Sequence, residues 1–214
     1  MPEPNPAVRS RLLAAHAPCE SFAGTCSGMR WDPRKGHVPR GFFGATANIE
    51  DVRLVLVCAE PGDPHGAESH VGSSPAATFR SAYDYAYNCF KDGKDLFHRN
   101  VRLILNLCLP GLDFDEQMQR AWITDSVLCS ARIEGGNVPA QVARACRARY
   151  LEAQLDLFPN AVIAALGGKA RRRLAGYDRE VIPAIAAAPP GCNRAGARDS
   201  WEAIAKQVRA RMSA

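Results

Sequence analysis

Four short apolar runs, three of which end in Gly- or Pro-rich turns that cannot continue a strand, constrain the fold most. The first, Val52 to Ala59, reads Val-Arg-Leu-Val-Leu-Val-Cys-Ala and stops at a bend rich in Pro and Gly. A nearly continuous apolar run with β-branched residues is typical of a strand buried on both faces of a parallel sheet. The other three runs are residues 121–129, 161–166 and 180–187.

Helical patterns separate these runs, at residues 76–91, 95–109, 139–157 and 200–212, with a basic helix start at 169–173. Strands that alternate with helices imply right-handed crossovers and helices on both faces of the sheet. The sequence therefore predicts one α/β domain over residues 1–214, a three-layer α/β/α fold with a central four-stranded parallel sheet. Residues 1–50 are predicted to form an irregular N-terminal arm that contains one short helix.

Charge is distributed unevenly along the chain. Residues 1–130 hold 13 Lys and Arg against 15 Asp and Glu, whereas residues 131–214 hold 14 against 7. A basic half favours a polyanionic partner such as nucleic acid, and the alternative is a solvated Arg-rich surface. The sequence contains no run of 18 apolar residues, so no membrane span is predicted. The polar, Pro-rich N-terminus does not resemble a signal peptide. We therefore expect a cytoplasmic protein.

The bend after the first run carries candidate chemistry. It reads Ala59-Glu60-Pro61-Gly62-Asp63-Pro64-His65, with two acids and a His within six residues. Ligands of parallel sheets bind outside the carboxyl ends of the strands, where a carboxylate can orient water or stabilise a cation. An ordinary polar turn is the alternative. The bend lacks the Gly-Lys-Ser/Thr ending of a phosphate loop.

The order of motifs resembles the uracil-DNA glycosylase superfamily, especially its iron–sulfur, thermostable-type branch. That branch has Gly-Glu-Ala-Pro-Gly, Phe-Val-Gly, Ile-Thr-Asn-x-Val-x-Cys, a Cys on the next helix, an apolar strand ending Leu-Gly, and a His-Pro-Ser loop. This chain has Cys-Ala-Glu-Pro-Gly at 58–62, His-Val-Gly at 70–72, Ile-Thr-Asp-Ser-Val-Leu-Cys at 123–129, Cys146, Val-Ile-Ala-Ala-Leu-Gly at 162–167 and Ala-Pro-Pro at 188–190. The resemblance covers roughly residues 52–205 and lies in the motif order, since no single motif is specific.

The resemblance implies a DNA-repair glycosylase that flips uracil, or a related deaminated base, out of DNA. It would hydrolyse the N-glycosidic bond and leave an abasic site. Glu60 occupies the position of the family's water-positioning Asp, with Asp63 as a nearby competitor. A carboxylate suits this position because the reaction develops oxocarbenium character on the sugar. The alternative is that Glu60 has only a structural role, as a helix cap or a salt-bridge residue.

Two positions that would bind the base depart from the family. Asp125 replaces the Asn that reads the uracil edge, and an ionised Asp can only accept hydrogen bonds. Burial could raise its pKa and restore a donor. Ala188 replaces the family's His and has no side-chain donor for the departing base. The remaining residues assigned to the base are Ala59, Pro61, Gly62, His65, Asn193 and His70, whose ring takes the place of the stacking Phe.

DNA contacts are implied for two segments. The basic helix start and the Pro-rich loop after the fourth strand offer Lys169, Arg171, Pro190, Gly191, Arg194 and Arg198. Arg and Lys side chains at such positions bind phosphates, whereas a solvated helix face is the alternative for the basic start. With DNA as its partner, the chain would be a monomeric, nucleoid-associated bacterial protein.

The family's iron–sulfur cluster is held by four Cys, and four of the eight Cys in this chain occupy comparable places. Cys129 and Cys146 match the second pair, and Cys19 and Cys26 could supply the first pair at a wider spacing. Four thiolates suit a [4Fe–4S] cluster or zinc, and free buried thiols with no metal are the alternative.

Two other functions stay open at this point. Asp125 and Ala188 both weaken the usual chemistry, so the chain could bind uracil-containing or abasic DNA tightly without turnover. The same architecture could also serve an unrelated small-molecule hydrolase, because a fold does not fix a function.

Overall fold

The computed structural model describes residues 2–213 and has an α/β fold with a five-stranded mixed sheet. The strands are β1 (Phe43–Gly44), β2 (Leu54–Cys58), β3 (Ala121–Asp125), β4 (Val162–Leu166) and β5 (Val181–Ala184). Their order in the sheet is β1-β3-β2-β4-β5. The strands β3, β2, β4 and β5 run parallel, whereas β1 pairs antiparallel with β3.

The prediction of a four-stranded parallel sheet is therefore wrong about the sheet as a whole. Each of the four apolar runs contains a strand, but the N-terminal arm adds β1 at the edge. Two paired residues, Phe43 opposite Ile123 and Gly44 opposite Trp122, are too few to leave a periodic pattern in the sequence.

Eight α-helices connect and flank the strands of the described residues. They are α1 (Pro6–Leu12), α2 (Pro75–Asp92), α3 (Leu96–Cys108), α4 (Phe114–Arg120), α5 (Ala140–Cys146), α6 (Glu152–Leu155), α7 (Gly168–Arg173) and α8 (Ala197–Met212). Helix α3 packs against α2 and α8, and α8 also contacts β4 and β5. Among residues 2–213, no helix is both long and apolar enough to cross a membrane.

The helix predicted over residues 139–157 is interrupted. A π-helical turn, Arg147–Leu151, separates α5 from α6. Sequence analysis also missed α4, although its start carries a sequence signal. Asp113 accepts a hydrogen bond from the Glu116 N–H, and the Glu116 side chain accepts one from the Asp113 N–H, which is a capping box.

Buried aromatic residues attach the arm to the sheet. Phe42 and Phe43 are fully buried, and Phe42 stacks on Trp122 of β3 at a ring-centroid distance of 6.2 Å. The Trp122 indole N–H donates to the buried Gln154 Oε1 of α6 (3.1 Å), so one strand links the arm and a helix. The predicted short helix is present as α1, with Val8 and Leu12 in the core.

The close pairing of β1 and β3 depends on glycine at position 44. Gly44 has φ +103°, and a Cβ atom there would lie 2.2 Å from the Ala121 carbonyl oxygen. Alanine is strained at positive φ and would also push the two strands apart. The close approach of the arm to the sheet thus requires a residue without a side chain.

We expect Gly44→Ala to lower the free energy of unfolding by at least about 2 kcal/mol, from backbone strain and overpacking together. Urea denaturation of the full chain measures this loss. Gly66→Ala is the control, because no atom lies within 4 Å of the Cβ it would add. Equal stability of the two variants would show that the arm does not depend on this contact.

Candidate functional site

The parallel register places the ends of β2 and β3 side by side. Cys58 lies opposite Asp125, and the Ser126 N–H donates to the Cys58 carbonyl (2.9 Å). The next N–H, of Val127, donates to the Ala59 carbonyl (3.1 Å). Glu60 and Asp125 therefore lie at the same edge of the sheet, where the sequence analysis expected a site.

Two cations hold the Glu60 side chain, which is only 5% exposed. The Lys169 ammonium pairs with Oε1, and the Arg173 guanidinium lies 2.6 Å from Oε2. Arg173 also donates to the Ala59 carbonyl (2.7 Å) and to Ser126 Oγ (3.0 Å). Lys169, which sequence analysis assigned to DNA, thus already has an acidic partner within the protein.

The Asp125 carboxyl is almost enclosed, with 5% of the residue exposed. A Cβ atom at Gly41 would lie only 2.6 Å from its Oδ2, so this oxygen faces the arm. Burial raises the pKa of Asp125 well above its ordinary value, and the charge of Glu60 raises it further, against the effects of Arg40 and Arg173. A carboxyl in this environment favours the neutral acid, which both donates and accepts hydrogen bonds.

Arg40 organises the backbone of the acidic bend from inside the protein. Its guanidinium donates to the carbonyl oxygens of Gly62 and Gly36 and to Ser130 Oγ, and it pairs with Glu68 at 3.2 Å. Ser130 Oγ also donates to the Gly62 carbonyl (3.2 Å). Sequence analysis did not identify Arg40, although an Arg between Val38 and Phe42 is an unusual residue in an apolar stretch.

His70 is enclosed rather than open to a ligand. It is 1% exposed, with its Nε2 2.9 Å from Glu68 Oε1 and its Nδ1 3.0 Å from Ser81 Oγ. Its ring meets Tyr85 edge-on at 5.6 Å. Burial raises the pKa of Glu68, but the bond from His70 and the charge of Arg40 outweigh it and leave the pKa below its ordinary value. His70 therefore fixes Glu68, and through it Arg40.

Asp63 and His65 lie at the outer side of the bend. Asp63 is exposed and pairs with Arg30 at 3.0 Å. His65 Nδ1 lies 3.1 Å from the Tyr85 hydroxyl, and its Nε2 lies 3.6 Å from Asp95. Both side chains are thus open to solvent in part, whereas Pro61 is buried.

The Pro-rich bend after β5 borders a separate cavity of about 400 Å³. Its lining includes Arg171, Gly191 and Arg194 but no residue of the acidic bend. In a sheet ordered β2-β4-β5, the ends of β2 and β5 stand two strand spacings apart, or about 10 Å. Helix α7 lies between the two bends, because Lys169 reaches Glu60 and Arg171 lines the cavity.

Most of the residues assigned to DNA in this region are exposed. Pro190, Arg194 and Arg198 are open to solvent, whereas Gly191 is partly buried. Asn193, which was assigned to the base, is also exposed. Arg198 pairs with Glu202 on the same face of α8 at 2.8 Å, whereas the Asn193 amide oxygen accepts a hydrogen bond from the neighbouring Cys192 thiol (3.5 Å).

The four Cys that sequence analysis selected line one small cavity between the arm and α5. Cys129 and Cys146 are half-buried, and burial together with the proximity of the other thiols raises the pKa of Cys146 to about 12, against a hydrogen bond from the Leu128 N–H. The Leu128 N–H donates to Cys146 Sγ (3.5 Å), and the Tyr150 hydroxyl donates to Cys19 Sγ (3.3 Å). Burial raises the pKa of Cys19, but the Tyr150 bond and other polar contacts hold it below its ordinary value.

Four thiolates are the donor set of a [4Fe–4S] cluster or of a zinc ion. Across residues 2–213, no three or more His, Cys, Asp or Glu side chains are grouped to hold a metal ion. The four thiols share one cavity without forming such a group.

Compared with protein-family models and with curated proteins, the chain gives no significant match. The resemblance to uracil-DNA glycosylases therefore rests on the sequence motifs alone.

The raised pKa of Asp125 makes a stability prediction. The folded protein binds this proton more tightly than the unfolded chain does, so Asp125 costs no stability below the ordinary pKa of about 3.9. The cost grows as the pH rises from there toward the folded-state pKa. We expect Asp125→Asn to be more stable than the wild type in urea at pH 8, and the gain to shrink toward pH 4.

The exposed Asp178 provides the control, because Asp178→Asn should change stability little at either pH. An Asp125→Asn protein that is less stable than the wild type at pH 8 would contradict this account. It would mean that the folded protein stabilises the carboxylate.

Proposed function

We propose that this chain is a DNA-repair glycosylase of the uracil-DNA glycosylase type, which hydrolyses the N-glycosidic bond of uracil or a related deaminated base. One observation carries the proposal. A buried carboxyl with a raised pKa, Asp125, lies beside a second acid, Glu60, where two adjacent parallel strands end. Pairs of acids in different electrostatic environments are typical of acid–base sites.

A neutral Asp125 would read uracil as the family's Asn does. The protonated carboxyl offers one O–H donor and one carbonyl acceptor. Uracil presents the complementary pair, with O4 as the acceptor and N3–H as the donor. The departure at position 125 then changes the pH range of base recognition and leaves its hydrogen-bond pattern intact.

Glu60 would supply negative charge near the sugar. As the glycosidic bond breaks, the sugar gains oxocarbenium character, which a fixed carboxylate stabilises while it orients water. Lys169 and Arg173 hold this carboxylate in place, and Arg40 and Ser130 hold the carbonyl of Gly62 in the same bend. Asp63 is the alternative acid, since it is more exposed and has a single cation, Arg30.

The basic rim would hold the DNA strand. Arg171, Arg194 and Arg198 are exposed around the Pro-rich bend, and the C-terminal half of the chain carries the excess of positive charge. Phosphate contacts from such residues give an affinity that falls steeply with salt. Pro190 and Gly191 would contact the DNA strand beside the extruded base. The helices would cover the two faces of the sheet and leave the edge at the carboxyl ends of the strands open to DNA.

Cys19, Cys26, Cys129 and Cys146 would hold a [4Fe–4S] cluster. The group would act structurally, as a cross-link between the arm, the loop after β3 and the end of α5. Its four bonds would fix a stretch of chain with little regular structure, which Tyr150 and Leu128 support by hydrogen bonds to the sulfurs.

A second function has a specific observation in its favour. Ala188 offers no side-chain donor to a departing base, and the charge of Glu60 is already balanced by two cations. A protein with these features would bind uracil-containing or abasic DNA without turnover.

Incubation with uracil-containing oligonucleotides tests the enzyme directly. We expect alkali-labile sites from the wild type, and a rate about 10²- to 10³-fold lower for Glu60→Gln, since a preorganised charge is lost. If Asp63→Asn lowers the cleavage rate more than Glu60→Gln does, Asp63 is the acid that acts in the reaction. The exposed Glu50→Gln is the matched control and should retain full activity.

Position 125 adds a pH signature. Wild-type activity should fall on the alkaline side as Asp125 loses its proton, whereas Asp125→Asn should remain active there and Asp125→Ala should lose activity throughout. Absence of alkali-labile sites from uracil, hypoxanthine and xanthine substrates would remove the enzymatic proposal. Gel shifts with abasic duplexes would then decide for or against the binding protein.

Anaerobic purification tests the cluster. We expect a brown protein with about four irons per chain and broad visible absorption. Single Cys→Ser changes at 26 and 129 should lose most of the iron, whereas Cys192→Ser, outside this cavity, should keep it. A colourless wild type free of iron would overturn the cluster, and one equivalent of zinc would replace it with the alternative metal.

A further inference from the structure

Arg40 is a buried cation of the N-terminal arm that lies against the candidate site. Its guanidinium donates to the Gly62 carbonyl in the bend after β2 and to Ser130 Oγ (3.0 Å) in the loop after β3. The next residue of the arm touches the base-reading acid, because a Cβ atom at Gly41 would lie 2.6 Å from Asp125 Oδ2. Arg40 therefore places a positive charge beside the ends of both strands that carry the site.

The charge of Arg40 reaches the Asp125 carboxyl. Burial and then the charge of Glu60 raise the pKa of Asp125, whereas Arg40 and, to a lesser extent, Arg173 lower it. Arg173 is paired with Glu60 at 2.6 Å, but the acid paired with Arg40 is Glu68, which lies outside the two candidate acids. A cation that acts on Asp125 also acts on a base held by Asp125, since the charge interaction falls off only slowly with distance.

A buried network fixes the guanidinium from behind. Glu68 Oε1 lies 3.2 Å from Arg40 Nε and 2.9 Å from His70 Nε2, and Glu68 Oε2 accepts from the His65 N–H (3.0 Å). Groups other than Arg40 therefore share the negative charge of Glu68. The Gly36 carbonyl also accepts from the guanidinium (3.1 Å). The cation is thus held in place before any reaction begins.

The proposed reaction develops negative charge on the base as well as positive charge on the sugar. The C1′–N1 bond breaks, its electron pair stays on the base, and N1 and the two carbonyl oxygens of uracil share the charge. The oxygen of a water molecule bonds to C1′, and a proton of that water finally neutralises the base. A preorganised cation stabilises such a charge without rearrangement during the reaction. Ala188 has no side-chain group for this task.

We propose that Arg40 stabilises the negative charge that develops on the departing base. This inference rests on the proposed function and names a positioning residue for it. Arg40 acts through its charge and through the backbone of the bend that it holds, without touching the base. The N-terminal arm then supplies what position 188 lacks.

The dependence of the rate on the leaving group tests this role. The 5-fluorouracil anion is more stable than the uracil anion, so its departure needs less help from a cation. Under single-turnover conditions, we expect Arg40→Gln to slow the release of uracil about 10²-fold and that of 5-fluorouracil about tenfold. Arg40→Lys, which retains the charge, should recover most of both rates. Arg179→Gln is the matched control, because Arg179 binds the Ala161 carbonyl at the amino end of β4, and it should leave the ratio of the two rates unchanged.

A second variant separates the charge from the stability of the fold. Arg40→Gln leaves Glu68 buried without its cation, which destabilises the protein. Arg40→Gln combined with Glu68→Gln removes both charges and should show the same smaller loss on 5-fluorouracil. The pH profile gives a further readout. Without the charge of Arg40, Asp125 keeps its proton to higher pH, so the alkaline fall in activity should move upward.

Two outcomes would count against the inference in different ways. An active wild type whose Arg40→Gln variants slow both substrates equally, or slow neither, with no recovery by Arg40→Lys, overturns the role of Arg40 and leaves the proposed function standing. A wild type that releases neither uracil nor 5-fluorouracil from DNA overturns the proposed function and the role of Arg40 together.

Discussion

The ion pairs between Glu60 and the two cations of α7 are the constraint on which the rest of the site depends. A carboxylate with 5% exposure is costly unless cations compensate it, and here Lys169 pairs with and donates to Oε1 while Arg173 pairs with Oε2 through its charge. The same two side chains also bind the carbonyls of Ala59, Gly135 and Gly136. Helix α7 therefore fixes the end of β2 and the loop after β3 with one set of contacts.

Burial and the nearby Glu60 together raise the pKa of the neighbouring acid, Asp125, at the end of the adjacent strand. Arg40 and Arg173 oppose this effect but already serve other acceptors, which are Glu68 for Arg40 and Glu60 for Arg173. The protein thus places two cations on one acid and disfavours the charge on the other.

The sequence predicts the parts of this arrangement that depend on local pattern. The apolar runs locate β2 to β5 because buried parallel strands need continuous apolar residues, and the bend at Glu60 follows from Pro and Gly. The sequence does not reveal β1, because two residues are too few to show a strand period. It does not reveal the partners Arg40, Glu68 and Arg173 either, because ion pairs between segments far apart in the chain produce no characteristic residue spacing. Lys169 shows the same limit, since its basic context predicts a phosphate contact and its actual neighbour is an acid.

The N-terminal arm connects the two candidate sites of the molecule. The arm carries Cys19 and Cys26 at the thiol cavity. It carries Arg40 farther along, just before β1. Ser130, one residue beyond Cys129, binds both the Arg40 guanidinium and the Gly62 carbonyl. A cross-link at the four thiols would therefore hold the arm at one end while Arg40 holds the acidic bend at the other. An irregular segment of this length is expected to stay ordered only where such attachments exist, because its backbone entropy is otherwise uncompensated.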